Sequence, residues 1–220
     1  MATIKNGILG GLSGKVGNVV GGTWKGISYL RALPSHVTQA NSPAQLSARQ
    51  KISLVNRFLK TCVPLVRIGF NGFAQKMSAY NAATSYNFHN AIGGDYPDHV
   101  LDYPSIAVAR GNLAGGDGVG CTSTEAGKLS FSWNDNSGAD NANNSDTAML
   151  LVFNPAKESS VYLLQAASRG DGSAEVNVPI DFTGDEVHCY LAFADLGSMV
   201  GGQPRDHVSN SVYAGAVTVV

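Results

Sequence analysis

Between residue 103 and the C-terminus, short runs rich in β-branched and aromatic side chains recur, each closed by a cluster of Gly, Asn, Asp, Ser or Pro. The runs span residues 103–109, 128–133, 147–153, 160–166, 174–179, 186–193 and 211–219. A strand rises a little over ~3 Å per residue and alternates its side chains between two faces, so each run is one strand of a small sheet, and the turn clusters force reversals between them. Seven short strands with turn signals at this spacing are the pattern of a β-sandwich of immunoglobulin or fibronectin type. Trp133 on the second run is expected to fill the core, facing Tyr190 or Phe193 of the sixth. With no Cys pair marked to bridge the sheets, the fibronectin type III variety fits better than the antibody variety.

The N-terminal part obeys a different rule. Residues 7–26 hold eight glycines interleaved with Ile8, Leu9, Leu12, Val16, Val19, Val20 and Trp24, a density that forbids a stable helix. Residues 15–20 and 23–33 read as two strands joined at Gly21-Gly22, a dipeptide suited to a tight hairpin turn. Glycine within strands is tolerated where another backbone must approach closely. Either the hairpin packs tightly on its own domain, or it is a basic arm that pairs with another chain. Further on, Ser42, Pro43 and Gln45 form a helix start, with Ser42 as cap, Pro43 at the first helical position and Gln45 completing a capping box. The helix should reach about Cys62, with Ile52, Leu54, Val55, Phe58, Leu59, Cys62 and Val63 on one half and Arg49, Ser53, Asn56, Arg57 and Lys60 on the other. Pro64 interrupts it, and residues 65–73 and 77–92 read as shorter helical pieces. The fold class expected is therefore α+β: an N-terminal β-hairpin plus helices, followed by an all-β sandwich. The punctuation Gly93-Gly94-Asp95-Tyr96-Pro97 divides a basic region, 1–94, from an acidic sandwich, 95–220.

Charge divides at the same place. All 16 acidic residues lie at or beyond Asp95, while ten of the 15 Lys and Arg residues precede it, so residues 1–94 carry formal charge +10 and the remainder −11. Such asymmetry points to a polyanion partner, or to opposite patches that meet within or between molecules. Charged residues make up only 14% of the chain, and a largely neutral polar surface has little repulsion to keep neighbours apart. Lys15, Trp24, Lys25, Arg31, Arg49, Arg57 and Lys60 are the candidate residues for contact with a neighbouring copy or a polyanion, with Trp24 able to stack on a base. No nucleic-acid-binding motif surrounds them.

Chemistry-bearing motifs are weak. Residues 9–16 evoke a phosphate-binding loop, but Leu9 stands where the first Gly belongs and Val16 where a hydroxyl should hold magnesium. Asn134, Asp135, Asn136 and Asp140 cluster oxygen donors of the kind a hard cation needs, in an order that matches no helix-loop-helix calcium motif and is equally ordinary turn composition. Arg169-Gly170-Asp171 is the integrin-ligand tripeptide and also a plain turn. His36, His89, His99, His188 and His207 are scattered, and no Cys stands in a Cys-x-x-Cys pair, so no zinc site is expected. No nucleophile elbow occurs, and no catalytic residue, cofactor or metal is assigned. The cysteines Cys62, Cys121 and Cys189 cannot all pair, and no disulfide framework is expected. Neither a signal peptide nor a bilayer-length apolar stretch is present, so the expectation is cytoplasmic synthesis without membrane insertion, with incorporation into an assembly or virion left open.

The opening stretch from Ile4 to Gly21 with Trp24-Lys25-Gly26, and the closing stretch from Phe182 to Phe193 with Asn210-Ser211-Val212-Tyr213, resemble an uncharacterised family of Bacteroidota proteins. The resemblance spans nearly the whole chain and implies that the two halves form one architecture, while supplying neither catalytic residues nor a ligand. The functional expectation is a non-enzymatic structural protein that self-associates through its basic N-terminal region and acidic sandwich, as the subunit of a filament, a virion or another assembly. Two other readings stay open: a surface module binding glycan or protein through sandwich loops, and nucleic-acid binding by the basic half.

Overall fold

The computed structural model describes residues 3–4, 10–24, 26–33, 42–75, 77–197 and 207–220. The chain forms two compact units, residues 1–41 and 42–220. The division therefore falls between Asn41 and Ser42, not after residue 94, because the helices following Ser42 share a core with the sandwich.

The first unit is a four-stranded antiparallel sheet in sequential order: β1 (Thr3–Ile4), β2 (Leu12–Val16), β3 (Val19–Trp24) and β4 (Ile27–Ala32). The turns fall at Gly17-Asn18 and at Gly26, where Gly17 and Gly26 take positive φ of 56° and 83°. Gly21-Gly22 is not the expected turn but the middle of β3, paired with Gly14, Leu30 and Tyr29. A Cβ on Gly21 would strike the Leu12 carbonyl, and one on Gly22 would lie 2.8 Å from the Tyr29 hydroxyl. These two glycines therefore serve close packing across the sheet rather than chain reversal.

The second unit begins as the sequence predicts. Ser42 caps α1 (Pro43–Leu59) with both halves of the capping box formed, and a 3₁₀ turn at Lys60–Cys62 leads into α2 (Val63–Gly69). Pro64 sits in the first turn of α2, where the missing N–H costs nothing. Helix α3 (Ala79–Asn90) is capped by Ser78. After the short pair β5 (Ile92–Gly93) and β6 (Val100–Leu101) come seven strands: β7 (Asp117–Glu125), β8 (Lys128–Asn134), β9 (Thr147–Asn154), β10 (Ser159–Leu163), β11 (Ser173–Asn177), β12 (Glu186–Ala194) and β13 (Val212–Thr218). Six coincide with expected runs. The seventh does not: residues 103–109 form a 3₁₀ turn at Tyr103–Ser105 and an unpaired extension, and the missing strand is the Gly- and Thr-containing β7.

Three strands pair in the order β11-β8-β7 and four in the order β10-β9-β12-β13. The fourth strand of the sandwich lies beside the third rather than the fifth, which separates this arrangement from the antibody constant type and gives the fibronectin type III variety. Trp133 meets Phe193 edge-on, ring centroids 5.7 Å apart, whereas Tyr190 points the other way.

Both central strands, β9 and β12, are buried on both faces. Ala148, Leu150, Val152, Val187, Leu191 and Phe193 face Leu129, Phe131 and Trp133 of the opposing sheet. Met149, Leu151, Phe153, Tyr190 and Ala192 face outward onto Val55, Phe58, Leu59, Leu65, Val66 and Phe70 of the helices. The unit is thus three layers, sheet, sheet and helices, with two apolar seams.

Candidate functional site

Register decides what the N-terminal sheet presents. Lys15 pairs with Val20 and Val20 with Arg31; Gly22 pairs with Tyr29 and Trp24 with Ile27. Paired residues and alternate positions share a face, so Lys15, Val20, Trp24, Ile27, Tyr29 and Arg31 lie on one side. Val16, Val19, Leu30 and Ala32 lie on the other. Among the described residues of this unit only Gly21 is buried. Ile27 is 70% exposed, Leu30 64% and Trp24 50%. One face is therefore aromatic and cationic, the other aliphatic, and both are open. The unit as a whole contains Lys5, Lys15, Lys25 and Arg31 and no carboxylate. Lys25 lies outside the described residues, as do His36 and Leu9.

The other candidate cations ride on α1 and just beyond it. Arg49, Arg57 and Lys60 are all exposed. Arg57 and Lys60 line a shallow depression of about 490 Å³ with Ser53, Asn56 and Thr61, and Arg57 donates to the Glu158 carboxylate at 2.9 Å. Glu158 has φ of +48°, an uncommon left-handed backbone for a side chain of that size. On the far side of the ion pair is a second cleft of about 310 Å³, floored by Phe58, Leu101, Tyr103 and Phe153 and edged by His99. His99 bonds Ser47 Oγ at 2.7 Å and the Gly94 carbonyl at 3.0 Å, so both ring nitrogens are engaged.

The oxygen-rich loop does not form a cation cage. Asn136 Oδ1 accepts from Arg169 Nη1 at 2.7 Å, and its Nδ2 donates to the Gly115 carbonyl at 3.0 Å. Asn134 donates to Asp117. Asp135 accepts from the Ser137 amide, an interaction with the Ser137 hydroxyl and amide that holds its carboxyl below the usual range. Asp140 occupies a left-handed backbone position, φ +49°, where it shapes the turn. Among the described residues no three His, Cys, Asp or Glu side chains gather into a metal-binding set. The loop's polar groups are consumed by turn formation and by one buried arginine.

That arginine is the polar centre missed by the sequence reading. Arg169 is fully buried, its Nε 3.0 Å from Asp146 Oδ2, its Nη2 2.8 Å from the Ala114 carbonyl, and its guanidinium 3.9 Å from the centroid of the Phe193 ring. Its own carbonyl accepts from Trp133 Nε1 at 2.7 Å. Burial pulls the Arg169 pKa down from its ordinary value, opposed by Asp146. Asp171, third of the tripeptide, accepts from the Ser168 amide and caps the turn. With its arginine sealed inside, Arg169-Gly170-Asp171 is an internal clamp, not an adhesion motif.

A second unforeseen cluster lies under the 310 Å³ cleft. His188 stacks on Tyr103 with centroids 3.8 Å apart and bonds the Tyr213 hydroxyl at 2.8 Å. Tyr190 donates to the Tyr103 carbonyl at 2.9 Å. Burial lowers the His188 pKa, against the pull of Glu186, and raises that of Tyr190. The His188 stack and hydrogen bond tie β12 to Tyr103 and to β13. The outward positions of β12 that build this cluster, His188 and Tyr190, are buried like its inward ones, yet no local pattern in the sequence marks them.

Among the described residues no helix is long and apolar enough to cross a membrane. The chain matches no curated protein. Among solved structures it is similar to the fibronectin type III domain of the human collagen alpha-1(XX) chain, at 12% identity and a TM-score of 0.33, covering 49% of this chain and 87% of that one. A family of unknown function, DUF6266, matches residues 11–215, and the chain belongs to that family.

Proposed function

We propose that this member of the DUF6266 family is a non-enzymatic structural protein that self-associates, its N-terminal sheet docking on the acidic sandwich of a neighbouring copy. The observation that carries the reading is the open N-terminal sheet. A sheet of short strands needs an apolar face covered to be stable, and a cluster of exposed large apolar side chains is a mark of an interaction surface. Here Trp24, Ile27 and Tyr29 share one face and are all exposed, and Leu30 is exposed on the other. Charge selects the partner. The cationic face carries Lys15 and Arg31 in a unit without a single carboxylate, while residues 95–220 hold 16 carboxylates against five cations. Docking between copies brings the two signs together, and a contact between unlike surfaces propagates into a ring or a filament according to its rotation.

Light scattering of the full chain across a salt series tests this. Assemblies at low salt that dissociate as salt rises are expected, with the Lys15→Glu, Arg31→Glu double variant and the Trp24→Ser, Ile27→Ser double variant each shifting the equilibrium to monomer. A wild-type chain that stays monomeric at low salt refutes the reading.

The same aromatic and cationic face favours a second reading, single-stranded nucleic acid, in which Trp24 and Tyr29 stack on bases and Lys15 and Arg31 meet phosphates. A gel shift weakening steeply with salt would select it over self-association.

A further inference from the structure

Cys121 and Cys189 come from opposite sheets of the sandwich. Cys121 stands on β7 across from Phe131 of β8, and Cys189 on β12 between Val152 of β9 and Gly215 of β13. Strands β7 and β13 lie against one another where the two sheets meet. Both cysteine side chains line the apolar seam between the sheets, Cys189 fully buried and Cys121 half-buried, and both are free thiols. The Cys121 thiol beside it, followed by burial, raises the Cys189 pKa above its ordinary value. Cys62 lies in the other seam, beneath the helices, bonded to the Leu59 carbonyl and pushed by burial up to about 12. By sequence the three cysteines cannot all pair and no disulfide framework is expected; folding brings two of them into one seam.

We propose that Cys121 and Cys189 form a redox modification site, closing into a disulfide between the two sheets on reaction with a small disulfide of the glutathione type. The half-buried Cys121 reacts first: its thiolate attacks one sulfur of the small disulfide, forming a mixed disulfide and expelling one small thiolate. Cys189 then loses its proton to solvent through local opening and attacks the Cys121 sulfur, expelling the second small thiolate. Two protein thiols are oxidised, one small disulfide is reduced to two thiols, and the released protons end on those thiols. The bridge would tie the edge strand β7 to the central strand β12, joining residues far apart in the chain, where cross-linking restricts the unfolded state most. The proposal stands apart from the assembly reading and does not depend on it.

The full chain is equilibrated over a series of glutathione disulfide to glutathione ratios, quenched by alkylation in denaturant, and mapped by mass spectrometry without reduction. At oxidising ratios the expected product has lost two hydrogens, keeps one alkylatable thiol at Cys62, and yields a linked peptide joining Cys121 to Cys189. Its Tm rises by roughly 5–10 °C. Cys121→Ser, a change at the half-buried position, abolishes the link, whereas Cys62→Ser leaves it in place. Three alkylatable thiols at every ratio, glutathione retained on Cys121 without transfer to Cys189, or a bridge that uses Cys62 would each overturn the proposal.

Discussion

Replacing Arg169 by Met isolates the role of the buried charge, since Met keeps the length and apolar body of the side chain and leaves little void. Four donated hydrogen bonds disappear, to Asp146 Oδ2, Asn136 Oδ1 and the carbonyls of Gly115 and Ala114, together with the contact over the Phe193 ring. The dominant cost is the carboxylate left behind. Asp146 is 1% exposed, and its Oδ1 already has no hydrogen-bond partner. Breaking a buried pair from one side costs about 3–5 kcal/mol, and the orphaned acceptors of the 114–115 and 136 segments carry the total to the upper part of that range. We expect a loss of about 4–5 kcal/mol, a large share of the ~5–15 kcal/mol by which domains are stable. Urea unfolding followed by Trp133 fluorescence reads this as a midpoint lowered by roughly 2 M at unchanged slope. Arg169→Met combined with Asp146→Asn removes the stranded charge and should recover about 2 kcal/mol. A single variant within about 1 kcal/mol of wild type would refute the reasoning, as would a double variant no more stable than the single.

The His188 pKa is lowered in the fold, so the unfolded chain binds its proton more readily. Stability from this group is intact above the ordinary value of 6.5 and falls as pH drops through it; the His188→Gln variant should show a flatter decline between pH 7 and 5 in thermal melts. Gly69→Ala should destabilise the second unit by about 1–3 kcal/mol, because the new Cβ would meet the Val108 carbonyl and lie 2.7 Å from Ala109 Cα, a backbone neighbour that cannot swing away; chemical denaturation measures it. Glu158→Gly trades an exposed ion pair with Arg57, about 0–1 kcal/mol, for relief of a left-handed backbone costing about 1–2 kcal/mol, so a small net gain in Tm is expected.

Local chemistry and period were enough for much of this fold. The capping box at Ser42 and Gln45 formed as read, and six of the seven sandwich strands lie where β-rich runs alternate with turn clusters. These depend on neighbours within a few residues, and the sequence displays them directly. The strand β7 escaped notice because its Asp117, Gly118, Gly120 and Ser123 carry little strand signal, and residues 103–109 mimicked a strand because an extended, buried segment needs the same side chains whether or not its backbone pairs. The Gly21-Gly22 turn failed for a related reason: glycine permits a reversal and a close approach equally, and only the facing Leu12 and Tyr29 decide between them.

The candidate surface was half legible. Lys15, Trp24 and Arg31 were singled out from charge and aromatic content, but their placement on one face follows from strand register, which a one-residue slip would have reversed. The Arg169 centre, the His188 stack and the Cys121 and Cys189 pair join residues dozens of positions apart, and no local pattern marks such meetings. By itself, then, the sequence determined the class of elements, their order and the segregation of charge, because propensity, capping and net charge are properties of short stretches. Tertiary structure alone decided that the helices roof the sandwich, that Asn136 of the oxygen-rich loop serves a buried arginine, and that two of three thiols meet, because each requires packing that brings distant segments into contact.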